Sequence, residues 1–405
     1  MLGAFCCGFR ACWYQQRQGG PGAQGKAERT AVRAICGVEA LTNGKNKSLR
    51  VALIVSEQTL CEYSALLERL LVGLADESIP VALIYPPGRE VQGLLRGTVE
   101  LLQHPAVDLP FVEPFSRKTL AGRLAGFKPH LIHCLCQTKA TLAGYLARRL
   151  ELPYVLNVNS LQKRRHPFHL SAARCAAIIT PAKSIAESVR LLHPRFKEIV
   201  RQINPGTFAA GKSCCFAQPG RVATMMLTHP LDNVNDFENL FTAARHMMLD
   251  GYEFVVLVMA GGRAEGQVRE LLAALDLLRI VTIVPRLRPW RSVLSAGDIF
   301  IQPRPDYKFN PFMLEAMSVG AAVVGCRGGV ADLIIDGKTA MAIDPDDEIS
   351  ITATLKQLLG RRELARKIGQ AAQNYVRENY SVSAMMSQVL QTYNDAVQWH
   401  TDSSR

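Results

Sequence analysis

DIFIQPRPDYKFNPFMLEAMSVGAAVVGCRGGVADLIIDGKTAMAID, residues 298–344, reads as a strand, a loop, a capped helix and a second strand. DIFIQP is a short apolar run ending at Pro303. Asn310 suits an N-cap, since its side chain offers an acceptor, and Pro311 suits the first helical position, where a missing N–H costs nothing. Phe309 and Leu314 occupy the two positions of a hydrophobic staple. Gly320 follows the last turn, where a left-handed residue closes a helix, and AAVVGC reads as the next buried strand. A helix that starts beyond a strand's carboxyl end aims its first amides into the space above the sheet. That predicts an anion site at Phe309, Asn310 and Pro311. Glu315, one turn further in, is spaced to hydrogen-bond a vicinal diol such as a ribose.

The same grammar runs outward from this stretch. Before it come VATMML (222–227), a helix from Asp236 to Met248, FVVLVMA (254–260), a helix from Glu265 to Leu277, and IVTIV (280–284). Further upstream RVALIVS (50–56) precedes a helical pattern through Leu66, Leu67, Leu70, Leu71 and Leu74, followed by VALIY (81–85). HLIHCLC (130–136), a helix from Thr138 to Leu150, YVLNVN (154–159), AAIIT (176–180) and EIVRQI (198–203) complete that half. Short apolar runs alternating with helices imply right-handed βαβ crossovers and parallel sheets buried on both faces. The expectation is an α/β chain of two Rossmann-like, doubly wound domains facing a cleft, with ligands beyond the carboxyl ends of the strands. The boundaries read as 49–207 for the first domain, 208–220 for a linker of small residues, 221–380 for the second domain, and 381–405 for a closing helix and tail. Residues 1–48, with their GGPGAQGK stretch, carry no periodic signal and read as a disordered extension. Arg10 interrupts the only apolar run there, so a signal sequence is not expected.

Composition agrees with a globular chain. Of 405 residues, 48% are hydrophobic and 20% charged, which excludes wholesale disorder and collagen. No apolar run reaches the roughly 18–20 residues of a membrane-spanning helix. Eleven cysteines without a staple framework fit reduced thiols and a cytoplasmic protein. Cys134 with Cys136 and Cys214 with Cys215 lack a matching second pair, so no metal and no cofactor is expected. His133, inside an apolar strand, reads as a satisfied strand histidine rather than a base. The net charge of +12 asks for an anionic partner or surface. No basic helix with stacking side chains stands out, which argues against nucleic acid.

The 298–344 stretch resembles the C-terminal signature of the retaining family 4 (group 1) glycosyltransferases, which have the two-domain GT-B fold. LEAMSVGAAVV (314–324) and GGVADLIIDGKTA (328–340) carry the likeness. It extends more weakly over about 50–395 through KPHLIH, ELPYVLNVN and YSVSAMMSQVLQTY. The resemblance implies a nucleoside-diphosphate sugar in the cleft, a carbohydrate or lipid-linked acceptor, transfer with retained configuration, and a last helix crossing back to the first domain. It also implies that Glu315 holds the ribose. The partner glutamate that usually contacts the sugar, eight positions earlier, is here Tyr307, with Asp306 beside it. Gly261 and Gly262 match the turn beneath the nucleotide.

The chain departs from the family at several points. The Arg and Lys that usually grip the diphosphate have no counterpart in MMLTHPLDNVNDFENLF (225–241), which offers His229 and Asn235. The histidine that usually closes the strand matching YVLNVN is Asn159. A charge-assisted contact is worth roughly 1.5–3 kcal/mol, so losing two weakens donor binding by roughly two orders of magnitude or more unless other cations replace them. Lys308 leads the candidates, with Arg304, Arg286 and Arg263 behind it. Lys163, Arg164 and Arg165, around Pro167 and Phe168, are candidates for touching acceptor phosphate or the inner membrane surface peripherally. The alternative from another class is a catalytically inactive GT-B binding or scaffold protein that has lost these phosphate contacts.

Overall fold

The computed structural model describes residues 49–88, 91, 93, 98–104, 113–162, 174–285 and 290–403. The predicted extension 1–48 and the candidate residues Lys163, Arg164, Arg165 and Arg286 lie outside the described residues.

The predicted apolar runs form two parallel sheets. The first contains β1 (Val51–Ile54), β2 (Val81–Tyr85), β3 (Val99–Gln103), β4 (Leu131–Cys134), β5 (Tyr154–Asn157), β6 (Cys175–Thr180) and β7 (Val200–Gln202), in the order β3-β2-β1-β4-β5-β6-β7. The second contains β8 (Ala223–Leu227), β9 (Phe254–Met259), β10 (Val281–Val284), β11 (Ile299–Ile301), β12 (Ala322–Cys326) and β13 (Met341–Ile343), in the order β10-β9-β8-β11-β12-β13. Both orders step outward from a central strand and then reverse, which is the doubly wound pattern. Every residue of β1, β2, β4 and β12 is buried, as strands covered on both faces require. β3 was not anticipated. It is an edge strand with one buried residue, Leu102, and so lacks the apolar run that marks the others.

Helices α1 (Glu57–Cys61), α2 (Ser64–Asp76), α3 (Glu113–Phe127), α4 (Ala140–Arg149) and α5 (Lys183–Leu192) belong to the first sheet. Helices α6 (Glu238–Leu249), α7 (Glu265–Ala274), α8 (Trp290–Leu294), α9 (Pro311–Val319), α10 (Glu348–Gly360) and α11 (Arg362–Asn379) belong to the second. The final helix, α12 (Val382–Ser403), returns to the first sheet. Its Met385, Met386, Val389 and Tyr393 share a buried cluster with β1, β2 and α2. It is pinned by His133 of β4, whose ring nitrogens meet Tyr393 Oη at 2.6 Å and Asn157 Oδ1 at 2.8 Å. The expected satisfied histidine is therefore what the fold contains.

A second cluster joins the two sheets. Ala52, Ile54, Leu146 and Leu156 of the first half share it with Phe300, Phe309, Phe312, Met313 and Leu314 of the second. Among the described residues no helix is long and apolar enough to cross a membrane.

Candidate functional site

The segment after β11 supplies the site. Asn310 caps α9 as predicted: its Oδ1 accepts from the Phe312 and Met313 amides, each at 3.0 Å. Pro311 has no amide hydrogen, and Leu314 N–H donates to the Asn310 carbonyl at 3.3 Å. The open amide end expected from sequence is thus closed by its own cap. A phosphate reaches the Phe312 and Met313 N–H groups only when the Asn310 side chain turns away. Phe309 and Leu314 are both buried, and Gly320 closes the helix at φ 79°.

Glu315 is buried as well. Its carboxylate takes both Nη atoms of Arg69, from α2 of the first domain, at 2.6 and 3.0 Å. Thr207 Oγ1 adds a third contact at 3.1 Å, and Arg69 also donates to the Gly206 carbonyl at 3.0 Å. Exposure is 12% for the Arg69 side chain and 5% for that of Glu315. The predicted ribose carboxylate is therefore one half of a forked, solvent-shielded pair that joins the two domains.

Other contacts close the same seam. Leu161 N–H donates to the Tyr307 carbonyl and Phe309 N–H to the Asn159 carbonyl, both at 2.9 Å, in an antiparallel bridge around Ser160 and Lys308. Tyr63 Oη–H donates to the Phe309 carbonyl at 2.8 Å. Trp290 Nε1 donates to Ser64 Oγ at 3.0 Å while its ring meets Phe312 edge-on. Asp332 receives the Ser184 amide at 3.0 Å and its hydroxyl.

Beyond the seam the cleft is open. A cavity of about 270 Å³ lies at the carboxyl ends of β8 and β11, walled by His229, Gln302, Asp306, Lys308, Asn310 and Glu62. Its neighbour of about 720 Å³ runs past Gly261, Asp232 and Glu265 to Lys308 and Glu57. Gly261 lines this space at the turn after β9, and Gly262 follows it. A Cβ on Gly262 would lie 2.3 Å from the Leu231 carbonyl oxygen, so that turn admits only glycine. The Gly328–Gly329 pair supports the 305–309 loop in the same way. Val330 N–H donates to the Asp306 carbonyl at 2.6 Å, and a Cβ on Gly329 would lie 2.2 Å from that oxygen.

The candidate cations among the described residues are engaged with protein groups. Lys308 Nζ lies 3.4 Å from Glu62 Oε2. Arg304 pairs with Asp346 and donates to the Asn235 carbonyl at 2.9 Å. Arg263 contacts Asp232 at 3.4 Å. His229 lies 3.3 Å from Asp236. Asp306 accepts the Lys308 amide at 3.0 Å, and burial raises its carboxyl above the ordinary range. Tyr307 lines the 270 Å³ cavity and is 57% exposed. Asn159 Nδ2 donates to the Leu135 carbonyl at 3.1 Å. Among the described residues no cluster of His, Cys, Asp and Glu is arranged to hold a metal ion.

Sequence reasoning missed Arg69, Glu62, Tyr63 and Thr207. Arg69 stands 246 positions from Glu315, inside a leucine-rich helix where one arginine reads as a solvated side chain. Nothing local marks it.

A model described as "Glycosyl transferases group 1" matches residues 224–361. Sulfoquinovosyl transferase SQD2 of Arabidopsis thaliana is 33% identical over 109 residues, which is 26% of this chain and 21% of that protein. The uncharacterized glycosyltransferase YqgM of Bacillus subtilis (strain 168) is 26% identical over 285 residues, 65% of this chain and 77% of its own length. Among solved structures, Anabaena Alr3699/HepE in complex with UDP and glucose superposes with a TM-score of 0.71 at 13% identity, over 85% of this chain and 99% of that one. The fold is GT-B, as the resemblance implied.

Proposed function

We propose that this chain is a glycosyltransferase that moves a sugar from a nucleoside-diphosphate donor to an acceptor with retained configuration, and that the described conformation is its closed, self-occupied form. The observation that carries this reading is the cavity at the carboxyl ends of β8 and β11, bounded by the α9 start, with Glu315 one turn behind it. Similarity to group 1 glycosyltransferases over 224–361, which contains that cavity's second-domain walls, supports it, as does the UDP complex of the Anabaena neighbour.

Each residue then has a task. Glu315, released from Arg69, takes the ribose hydroxyls. Lys308, released from Glu62, is the nearest wall cation for the diphosphate, joined by the Phe312 and Met313 amides once Asn310 turns. These groups would stabilise the leaving diphosphate, the principal charge that develops during transfer. Asp306 and Tyr307 face the transferred sugar, and Asn159 lies at the first-domain side of the bridge. The seam contacts exclude water when the domains meet. The acceptor is a carbohydrate or a lipid-linked sugar, and the protein acts in the cytoplasm.

A second reading, a non-catalytic GT-B binding protein, is favoured by one specific feature: the carboxylate meant for ribose already has a buried arginine partner. Calorimetry with UDP, GDP and their common sugars separates the two. The transferase reading expects binding near micromolar that Glu315→Ala abolishes and Asn235→Lys tightens. No binding to any nucleotide by folded protein would leave the scaffold.

A further inference from the structure

All strands of the first sheet are parallel, so their amino ends share the edge opposite the cleft. Arg50 immediately precedes β1, Lys128 precedes β4, Arg148 and Arg149 end α4 before β5, and Arg174 precedes β6. Arg195 and Lys197 lie in the short 3₁₀ segment before β7. These five strands are consecutive neighbours, so the cations form one row. At roughly 4.8 Å per strand the row is about 20 Å long.

Lys128, Arg148, Arg149, Arg195 and Lys197 are exposed, and none takes part in an ion pair among the described residues. Glu151 and Glu198 are the acids in the described segments that lead into these five strands, Asp395 of α12 pairs with Arg201 of β7, and Asp76 and Glu77 precede β2, beyond the row's end. Leu191, in the last turn of α5 and four residues before Arg195, has 77% of its surface in water.

We infer that this edge is a docking surface for an anionic lipid bilayer, with the Arg and Lys heads at the phosphates and Leu191 entering the interface. Long unpaired cations in a line match a plane of negative headgroups, each contributing independently. An exposed leucine among cations favours lipid over nucleic acid, because it has no use against a phosphate backbone but gains from leaving water in the headgroup region. The exposed side chains of the row include no aromatic ring on which a base would stack. This surface lies away from the cleft and does not depend on the donor site.

Co-sedimentation of the full chain with vesicles of phosphatidylcholine containing about one-third phosphatidylserine tests this. Binding is expected at low salt, absent on pure phosphatidylcholine, and lost as salt rises. Lys128→Glu/Arg148→Glu/Arg149→Glu should weaken partition by roughly a hundredfold or more. Arg279→Glu/Arg327→Glu/Lys338→Glu, exposed cations of the second half with the same change in net charge, should barely alter it. Leu191→Ser should reduce binding without changing its salt dependence, since it removes apolar surface and leaves the charge unaltered. Equal loss in both triple variants, indifference to Leu191→Ser, or stronger competition by duplex DNA than by the vesicles would overturn the assignment. Melting curves for each variant separate misfolding from loss of the surface, and UDP calorimetry reports the cleft independently.

Discussion

Arg69→Met removes the guanidinium that holds Glu315 while keeping an apolar stem of similar length. The pair is bidentate at 2.6 and 3.0 Å and nearly solvent-free, so the loss leaves a carboxylate buried without its cation. Removing one partner of such a pair typically costs about 3–5 kcal/mol. The Thr207 hydroxyl remains, which puts the expected cost near the lower end, about 3 kcal/mol. Replacing both partners, in Arg69→Met/Glu315→Gln, leaves no stranded charge and should cost about 1 kcal/mol or less, so the double-variant cycle isolates the coupling. Nucleotide binding should move the other way. UDP must displace two charge-assisted hydrogen bonds in the parent protein, worth roughly 1.5–3 kcal/mol each, and regains part of that through ribose. Freeing the carboxylate beforehand should tighten UDP about tenfold, which corresponds to about 1.4 kcal/mol. Urea unfolding gives the first quantity and calorimetry the second. If Arg69→Met loses under about 1 kcal/mol and binds UDP no better, the pair neither braces the domains nor occupies the ribose position.

Two further outcomes follow from other parts of the fold. Burial lowers the His133 pKa from 6.5 to about 4 against the opposing pull of its Asn157 hydrogen bond. The unfolded chain therefore takes up a proton that the folded one refuses, and stability should fall as pH drops below about 6.5 and level off below 4, by about 3 kcal/mol in all. His133→Gln should remove about one proton from that slope in urea midpoints measured across the range. At Gly329, with φ +63° and a Cβ position 2.2 Å from the Asp306 oxygen, alanine must displace backbone. Gly329→Ala should cost more than about 2 kcal/mol and abolish nucleotide binding, whereas Gly337→Ala, at φ +70° with open space, should cost only about 1 kcal/mol of backbone strain. Comparable melting shifts for the two would remove the supporting role of the glycine pair.

The fold was legible where short-range chemistry suffices. Runs such as Val81–Tyr85 and Phe254–Met259 announce buried parallel strands because burial on both faces demands unbroken apolar residues. Asn310, Pro311 and Gly320 mark the ends of α9 because caps are local hydrogen-bonding problems. β3 escaped notice because an edge strand with one buried residue needs no such run. At the site, spacing nominated Glu315 and the family resemblance brought in Lys308 and Asp306, yet what each touches depended on chain segments far away. Arg69, Glu62 and Tyr63 reach the α9 region only because two sheets and a returning helix bring the domains face to face. A carboxylate's sequence position says that it can accept a hydrogen bond. Whether the donor is a ribose, a solvent molecule or an arginine from the opposite domain is decided by packing, since only the assembled fold determines which charges share a space without water.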